Sequence, residues 1–227
     1  AMDITLRAAR LESVKTPLLA VTTPSTISKD PLLSALDETL DGLVSRIARE
    51  EGFKGKKSQS LRLNGQKASR IHVQGLDVRK SNLVIPIRTF AHRVGHFVRE
   101  KGLKSFALVV PTYLEDIPVE NLVEWLTQGA LSGLYRFGEY YSKDIKPKTE
   151  PKRCVLILPR IEGKPVPKVT PTLEASVERA AALASGVSFA RDLVNAPSNA
   201  LSPRELAARS RKLADETNLT CTIMTEK

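Results

Sequence analysis

Apolar residues recur along this chain in two patterns, short strand-like runs and longer stretches with helical spacing. The first strand-like runs are DITLRAARL and TPLLAVTT, close to the N terminus. Asp30 and Pro31 then suit the cap and the first position of a helix. The apolar positions that follow at helical spacing are Leu33, Leu36, Leu40, Leu43 and Ile47. This spacing predicts one helix that begins at Pro31 and ends at Gly52.

The same alternation continues through the middle of the chain. LRLNGQKASRIHVQGL predicts a hairpin with Asn64-Gly65 at its turn, after the basic loop GFKGKKSQ. A helix is predicted from Pro86 to Lys101, with proline tolerated in its first turn. Another should begin at Pro118 and continue into YRFGEYYS. Two short apolar runs are typical of strands buried on both faces, KSFALVVP and CVLILP. The basic loop KDIKPKTEPKR precedes the second run.

Strands that alternate with helices predict a three-layer α/β/α sandwich over residues 1–168. Its two opening strands resemble hairpin neighbours, so we expect a mixed sheet. The Pro-rich stretch EGKPVPKVTP marks the end of this domain.

The C-terminal part of the sequence predicts a linker and the start of a second body. An Ala-rich helix from about Thr172 to Val194 falls in a linker over 169–197. A capping box with Ser at the cap, Pro at the first position and Glu at the third then predicts a helix to about Thr217. TCTIM would follow as a strand, so we expect 198–227 to begin another domain.

Composition narrows the class of protein. The 227 residues are 41% hydrophobic and 26% charged, which is typical of a globular protein. No apolar run approaches the length of a membrane helix. Two cysteines make neither a disulfide framework nor a metal set, and the cytoplasm is the expected location.

The chain offers few constellations that could carry chemistry. His92 and His96 are four residues apart on a predicted helix, a spacing used for shared metals. Arg93 stands where the zinc-protease motif needs Glu, and no third ligand is in view. A solvated or interface face is therefore favoured over a metal site.

The positive charge suggests a nucleic-acid partner as an alternative. Lys and Arg number 35 against 25 Asp and Glu, a net charge of +10. Loop cations on one face would give salt-sensitive DNA binding. The candidate contacts are Lys54, Lys56, Lys57, Lys67, Arg70, Lys152 and Arg153.

A junction near the C terminus, ARDLVNAPSNALSPRELA, carries a family resemblance. It resembles the segment by which leucyl aminopeptidases of the cytosol aminopeptidase family enter their catalytic domain. The matching residues are Ala190, Arg191, Asp192, Leu193, Asn195, Pro197, Asn199 and Pro203. A looser similarity joins GLYRFGEYYS to a run late in the family's N-terminal domain, from which Gly138 and Tyr141 depart. The inter-domain junction is therefore expected to be formed by Arg191, Asp192, Asn195, Pro197 and Asn199. For Arg191 and Asp192, packing or an ion pair is favoured over a catalytic role.

The resemblance implies a macro-domain-like N-terminal domain, a linker helix and the truncated first elements of a peptidase domain. It implies a parent that releases N-terminal amino acids from peptides with two divalent metals, Mn or Zn, and assembles as a homo-hexamer. The metal-binding Asn-Thr-Asp-Ala-Glu-Gly-Arg run of the family is not found here. No cofactor or catalytic residue is thus assigned to this chain, which we expect to be inactive alone. Its expected partners are its own catalytic domain and sister subunits, with DNA as the alternative and no membrane. A site for ADP-ribose is supported only by analogy with the macro-domain fold, because the sequence contains no Gly-rich phosphate loop.

Overall fold

A computed structural model describes residues 2–76, 82–138 and 149–224. The chain divides into two compact units, the first ending at Ala184 and the second beginning at Ser185. The first unit contains the whole of the sheet.

The first unit is built on a mixed six-stranded sheet. Its strands are β1 (Asp3–Ala9), β2 (Leu19–Thr23), β3 (Ser60–Leu63), β4 (Ile71–Gly75), β5 (Ser105–Val109) and β6 (Arg153–Pro159). Their order across the sheet is β1-β6-β5-β2-β4-β3. All neighbours are parallel except β3 and β4. The central strands are apolar along nearly their whole length, as strands covered on both faces must be.

Helices cover both faces, which confirms the α/β class. The helices are α1 (Pro31–Glu38), α2 (Leu43–Glu50), α3 (Val84–Glu100), α4 (Val119–Leu134), α5 (Pro171–Asn195) and α6 (Pro203–Thr217). One hydrophobic core lies between the sheet and α1 and α2. A second core joins the opposite face to α3, α4 and the first turns of α5. The macro-domain likeness stays a prediction.

The sheet is mixed for a different reason than the sequence suggested. β1 and β2 are not hairpin neighbours, because β1 pairs with β6 while β2 pairs with β4 and β5, all in parallel. The antiparallel pair is β3–β4, so the predicted hairpin is confirmed. Its two strands are joined by residues 64–70, so the prediction of a two-residue turn at Asn64-Gly65 was wrong.

The predicted helix from Pro31 to Gly52 is two helices. α1 ends at Glu38, and Asp41 and Gly42 take positive φ angles of 52° and 73°. Leu40 is buried in this turn, so its helical spacing reflected the core and not a continuous helix. α1 nevertheless begins as expected, with Asp30 Oδ1 accepting hydrogen bonds from the backbone N–H groups of the first turn.

Helix α4 also ends earlier than predicted. Tyr135 has the extended φ and ψ of −57° and 135°, which stops the helix at Leu134. The remainder of YRFGEYYS through Phe137 and Gly138 is non-helical, and Tyr140 and Tyr141 lie outside the described residues. Most of the loop KDIKPKTEPKR lies outside them as well.

Helices α3 and α4 make an unusually close contact through glycine. A Cβ atom on Gly129 would lie 2.4 Å from the carbonyl oxygen of Arg88, and one on Gly95 would lie 2.3 Å from that of Ala130. Gly133 faces the backbone of α3 at similarly short range. The two helices therefore pack backbone against backbone where a side chain would hold them apart.

The second unit, from Ser185 onwards, contains the end of α5 and the whole of α6. Ser202 caps α6 by accepting a hydrogen bond from the backbone N–H of Glu205 (3.3 Å), as the sequence predicted. TCTIM forms no strand through Met224, because in the described part of the chain no neighbouring strand pairs with it. The predicted domain limits at 168 and 197 stay predictions.

Candidate functional site

The predicted nucleic-acid contacts lie at both ends of the strands of the first unit. Lys54, Lys56 and Lys57 precede β3, whose first residue Ser60 pairs with the carboxyl-terminal half of β4. Lys67 and Arg70 lie in the β3–β4 connection, at the other end of the same hairpin. The first group is thus separated from the second by the length of the hairpin.

The other two cations of that set lie at the amino-terminal end of β6. Lys152 and Arg153 are exposed, on a strand separated from β4 by β5 and β2. The seven cations are therefore divided between the two ends of the strands. This placement gives the DNA-binding alternative no support.

His92 and His96 lie on α3 but differ in their surroundings. The Nδ1 atom of His92 is 3.3 Å from Ser132 Oγ on α4, and the His92 side chain is half-buried. His96 is exposed. The pair thus borders the α3–α4 contact.

The residues present do not fit the two divalent metals implied by the resemblance. Across residues 2–76, 82–138 and 149–224, no three His, Cys, Asp or Glu side chains converge into a group that could hold a metal ion. The same residues contain no helix long and apolar enough to cross a membrane.

The predicted junction residues are close together along the end of α5. Arg191, Asp192 and Asn195 occupy its last two turns, and Pro197 and Asn199 follow in the connection to α6. The carbonyl of Pro197 accepts hydrogen bonds from the backbone N–H groups of residues 200 and 201, which fixes a tight turn before α6. The structure therefore brings the motif together as a helix end and a turn.

The sequence interpretation missed a cavity between the β3–β4 hairpin and α3. We call it the arginine cavity. It has a volume of about 270 Å³, and its polar lining consists of Arg62, Asn64, Arg70, His72 and Arg93. Within the described residues none of its three arginines forms an ion pair with a carboxylate. Three arginines without a carboxylate partner in residues 2–76, 82–138 and 149–224 therefore line the cavity.

The floor of the arginine cavity is apolar. Leu18, Val94 and Phe97 contribute to it, and the guanidinium carbon of Arg62 lies 4.6 Å from the centre of the Phe97 ring. Such a cation–π contact holds the guanidinium group over the ring without neutralising its charge.

His72 is the buried polar residue of the arginine cavity. It is 6% exposed, stacks on Phe90 with ring centres 6.2 Å apart, and its Nδ1 has no hydrogen-bond partner. Burial, together with the charge of Arg62 and more weakly of Arg93, lowers the pKa of His72 to about 4. Gln74 and the backbone of Leu61 favour the charged ring but are outweighed. His72 is thus neutral at neutral pH.

Sequence reasoning offered only a faint signal for this cavity. A histidine inside an apolar, alternating strand stands out, and two arginines flank it along the hairpin. Arg93, however, comes from α3, and nothing in the sequence links that helix to this hairpin.

Comparison with known proteins gives one consistent result. A family model described as the cytosol aminopeptidase family, N-terminal domain, matches residues 19–144. A probable cytosol aminopeptidase of Roseiflexus castenholzii is 33% identical over 86% of this chain and 41% of its own length. Leucine aminopeptidase 1 of Arabidopsis thaliana is 31% identical over 82% of this chain and 34% of its own. The chain therefore spans less than half of these relatives.

Solved structures support the same fold. A mutant of tomato leucine aminopeptidase superposes with a TM-score of 0.78 at 22% identity, covering 96% of this chain and 43% of that one. The bottromycin maturation enzyme BotP superposes with a TM-score of 0.66 at 20% identity, covering 91% and 38%. At these identities the likeness concerns the fold alone.

Proposed function

This chain belongs to the cytosol aminopeptidase family, and on that premise we propose that it is the non-catalytic N-terminal part of a leucyl aminopeptidase. The parent enzyme would release N-terminal amino acids from peptides in the cytoplasm. Its two divalent metals, Mn or Zn, would be held by residues outside this chain and would supply an activated water. This chain would hold the peptidase domain and contribute contacts between subunits of a homo-hexamer.

The observation that carries this proposal is the second unit, which has almost no core of its own. Among its described residues Ala214 is the only buried hydrophobic side chain. Two helices without a core cannot offset the entropy of ordering their backbone. A covering partner is therefore required for α6 to be stable.

The same unit presents apolar side chains to solvent. Val187 is 53% exposed and Val194 84% exposed, and with Ala190 they recur at i, i+3 and i+7 along α5. We call these three residues the α5 stripe. Such spacing places the side chains on one face of a helix. Because the relatives extend well beyond the part matched by this chain, we assign the peptidase domain of the same polypeptide as the partner that covers this face.

The start of α5 is fixed to the first unit, as a connecting helix must be. Leu173 and Val177 are buried in the core beneath α4. Arg179 donates hydrogen bonds to Glu124 Oε1 on α4, and the distance from its Nε atom to that oxygen is 2.7 Å. The start of α5 therefore belongs to the first unit.

An activity assay tests the non-catalytic part of the proposal. The isolated chain should hydrolyse no leucine p-nitroanilide with Mn²⁺ or Zn²⁺ supplied, while tomato leucine aminopeptidase serves as the positive control. Turnover above the blank in a contaminant-free preparation would contradict the proposal.

Hydrogen exchange tests the covering partner. Backbone amides of α6 should exchange quickly in the isolated chain and slowly in the full-length aminopeptidase that contains it. Val187→Lys in the full-length protein should restore fast exchange in α6, because a charge on the α5 stripe cannot be buried without a large cost. Ser185→Lys is the matched control, since Ser185 is exposed on the same helix. Equal protection of α6 in both proteins would refute the assignment.

A further inference from the structure

We propose that the arginine cavity binds a small organic anion, in which a carboxylate or phosphate head is joined to an apolar or aromatic body. The inference concerns the first unit alone and does not depend on the aminopeptidase role.

The head group would be held by the three guanidinium groups. Arg62 and Arg70 come from the hairpin and Arg93 from α3, so the cations approach the cavity from two elements. All three arginines are exposed, and none is paired with a carboxylate in the part of the chain that the structure describes, so their guanidinium groups are available to an anion. Guanidinium groups also match the planar or tetrahedral oxygens of carboxylates and phosphates in bidentate geometry.

The apolar floor selects the rest of the ligand. Phe97 lies beneath the Arg62 guanidinium group, and Val94 and Leu18 extend the apolar surface beside it. Concave sites that combine an apolar floor with a few polar groups are typical of small-molecule binding. A volume of about 270 Å³ is small for such a site and suits a ligand with one ring or a short aliphatic chain.

His72 is the second, independent observation. A buried polar atom without a partner is uncommon in folded proteins, and Nδ1 of His72 is such an atom in the wall of this cavity. That atom is closed to solvent, so His72 would sense a bound anion through its charge rather than by direct contact. An anion beside His72 would also oppose the field of the arginines, and so raise the pKa of the ring above its low value.

The chain contains three histidines, which makes a direct binding assay simple. Protein labelled with ¹³C-histidine gives three imidazole Cε1–H signals, which His92→Gln and His96→Gln assign by elimination. Phenyl phosphate and 3-phenylpropionate are titrated in turn to about 10 mM, since sites for such small ligands bind in the millimolar range or tighter. Inorganic phosphate tests the head group alone, and 3-phenylpropanol tests the body without charge.

We expect the His72 signal to shift with at least one aromatic anion while the signals of the other two histidines stay fixed. The better of the two anions identifies the head group. Arg93→Gln should weaken its binding at least about tenfold, because a hydrogen bond to a charged group is lost. Arg46→Gln, an exposed arginine on α2 at the opposite face of the sheet, should leave binding unchanged.

Several outcomes would overturn the proposal. They are an unmoved His72 signal with both aromatic anions, equal weakening by Arg93→Gln and Arg46→Gln, or equal binding of 3-phenylpropanol. Binding of inorganic phosphate as tight as that of phenyl phosphate would refute the role of the apolar floor. Arg62→Gln provides a second cavity variant if Arg93→Gln proves unstable.

Discussion

The close contact between α3 and α4 predicts that adding one methyl group at Gly129 will destabilise the protein. In Gly129→Ala the new Cβ would lie 2.4 Å from the carbonyl oxygen of Arg88, 3.0 Å from its Cα and 2.8 Å from the Cβ of Ala91. Two of these atoms belong to the backbone of α3 and cannot rotate away. Relief therefore requires the two helices to separate, which loosens the core that both share with the sheet.

The magnitude follows from two opposing terms. Alanine is favoured over glycine in a helix interior by about 1 kcal/mol, which alone would stabilise α4. Overpacking of a closely packed site costs about 1–3 kcal/mol. With contacts this short we place the cost at the upper end, so the net loss is about 1–2 kcal/mol. For a chain of this size that loss lowers Tm by about 2–8 °C.

Thermal unfolding followed by far-UV circular dichroism measures the effect. Gly186→Ala is the matched control, because Gly186 is also helical and nothing lies within 4 Å of an added Cβ. That variant should not lower Tm, since only the favourable helix term remains. If Gly129→Ala leaves Tm unchanged or raises it, the backbone contact between α3 and α4 is refuted.

Three further predictions concern single groups. The pKa of His72 is about 4 in the folded state, against 6.5 ordinarily. Between pH 4 and 6.5 the unfolded chain therefore binds more protons than the folded chain. The free energy of unfolding should fall as the pH drops through this range, by up to about 1.4 kcal/mol per pH unit. Urea midpoints across this range should show a slope that His72→Gln reduces and His96→Gln does not. Cys154 is buried, which raises the pKa of its thiol, whereas Cys221 is partly accessible. Ellman's reagent should therefore titrate one thiol in the native protein and two in guanidinium chloride, and two native thiols would contradict the burial. Asp30→Ala should lower the free energy of unfolding by about 1 kcal/mol through loss of the α1 cap. Asp30→Asn is the control, because it keeps the acceptor oxygen. Equal urea midpoints for the two variants would refute the role of Asp30 as a cap.

Elements with local signals were predictable from the sequence. Helix α6 begins at a Ser-Pro pair with a glutamate three residues after the cap, and the structure has the cap in that place. Strands β5 and β6 are short apolar runs, too short for a helix, and they are buried as predicted. In each of these cases the residues that determine the element lie within it.

Elements determined by distant contacts were not predictable. Leu40 and Leu43 keep the spacing of one helix, although the chain turns between them, because both still face the same core. Strand pairing escaped prediction for a similar reason, since β1 and β2 are neighbours in the chain but not in the sheet. The arginine cavity could not be predicted either, because it forms where α3 packs on the β3–β4 hairpin. That packing places Arg93 and His72 in the lining of the same cavity.

The pairing of β1 with β6 has a consequence for synthesis on the ribosome. Asp3 pairs with Arg153 and Ala9 with Pro159, so the first strand of this sheet to be synthesised pairs with the last. β1 occupies an edge and has no other neighbour in the sheet. β1 therefore stays unpaired in the nascent chain until β6 has been made. Contacts so distant in sequence form slowly, so β1 is a segment that a chaperone would protect during synthesis.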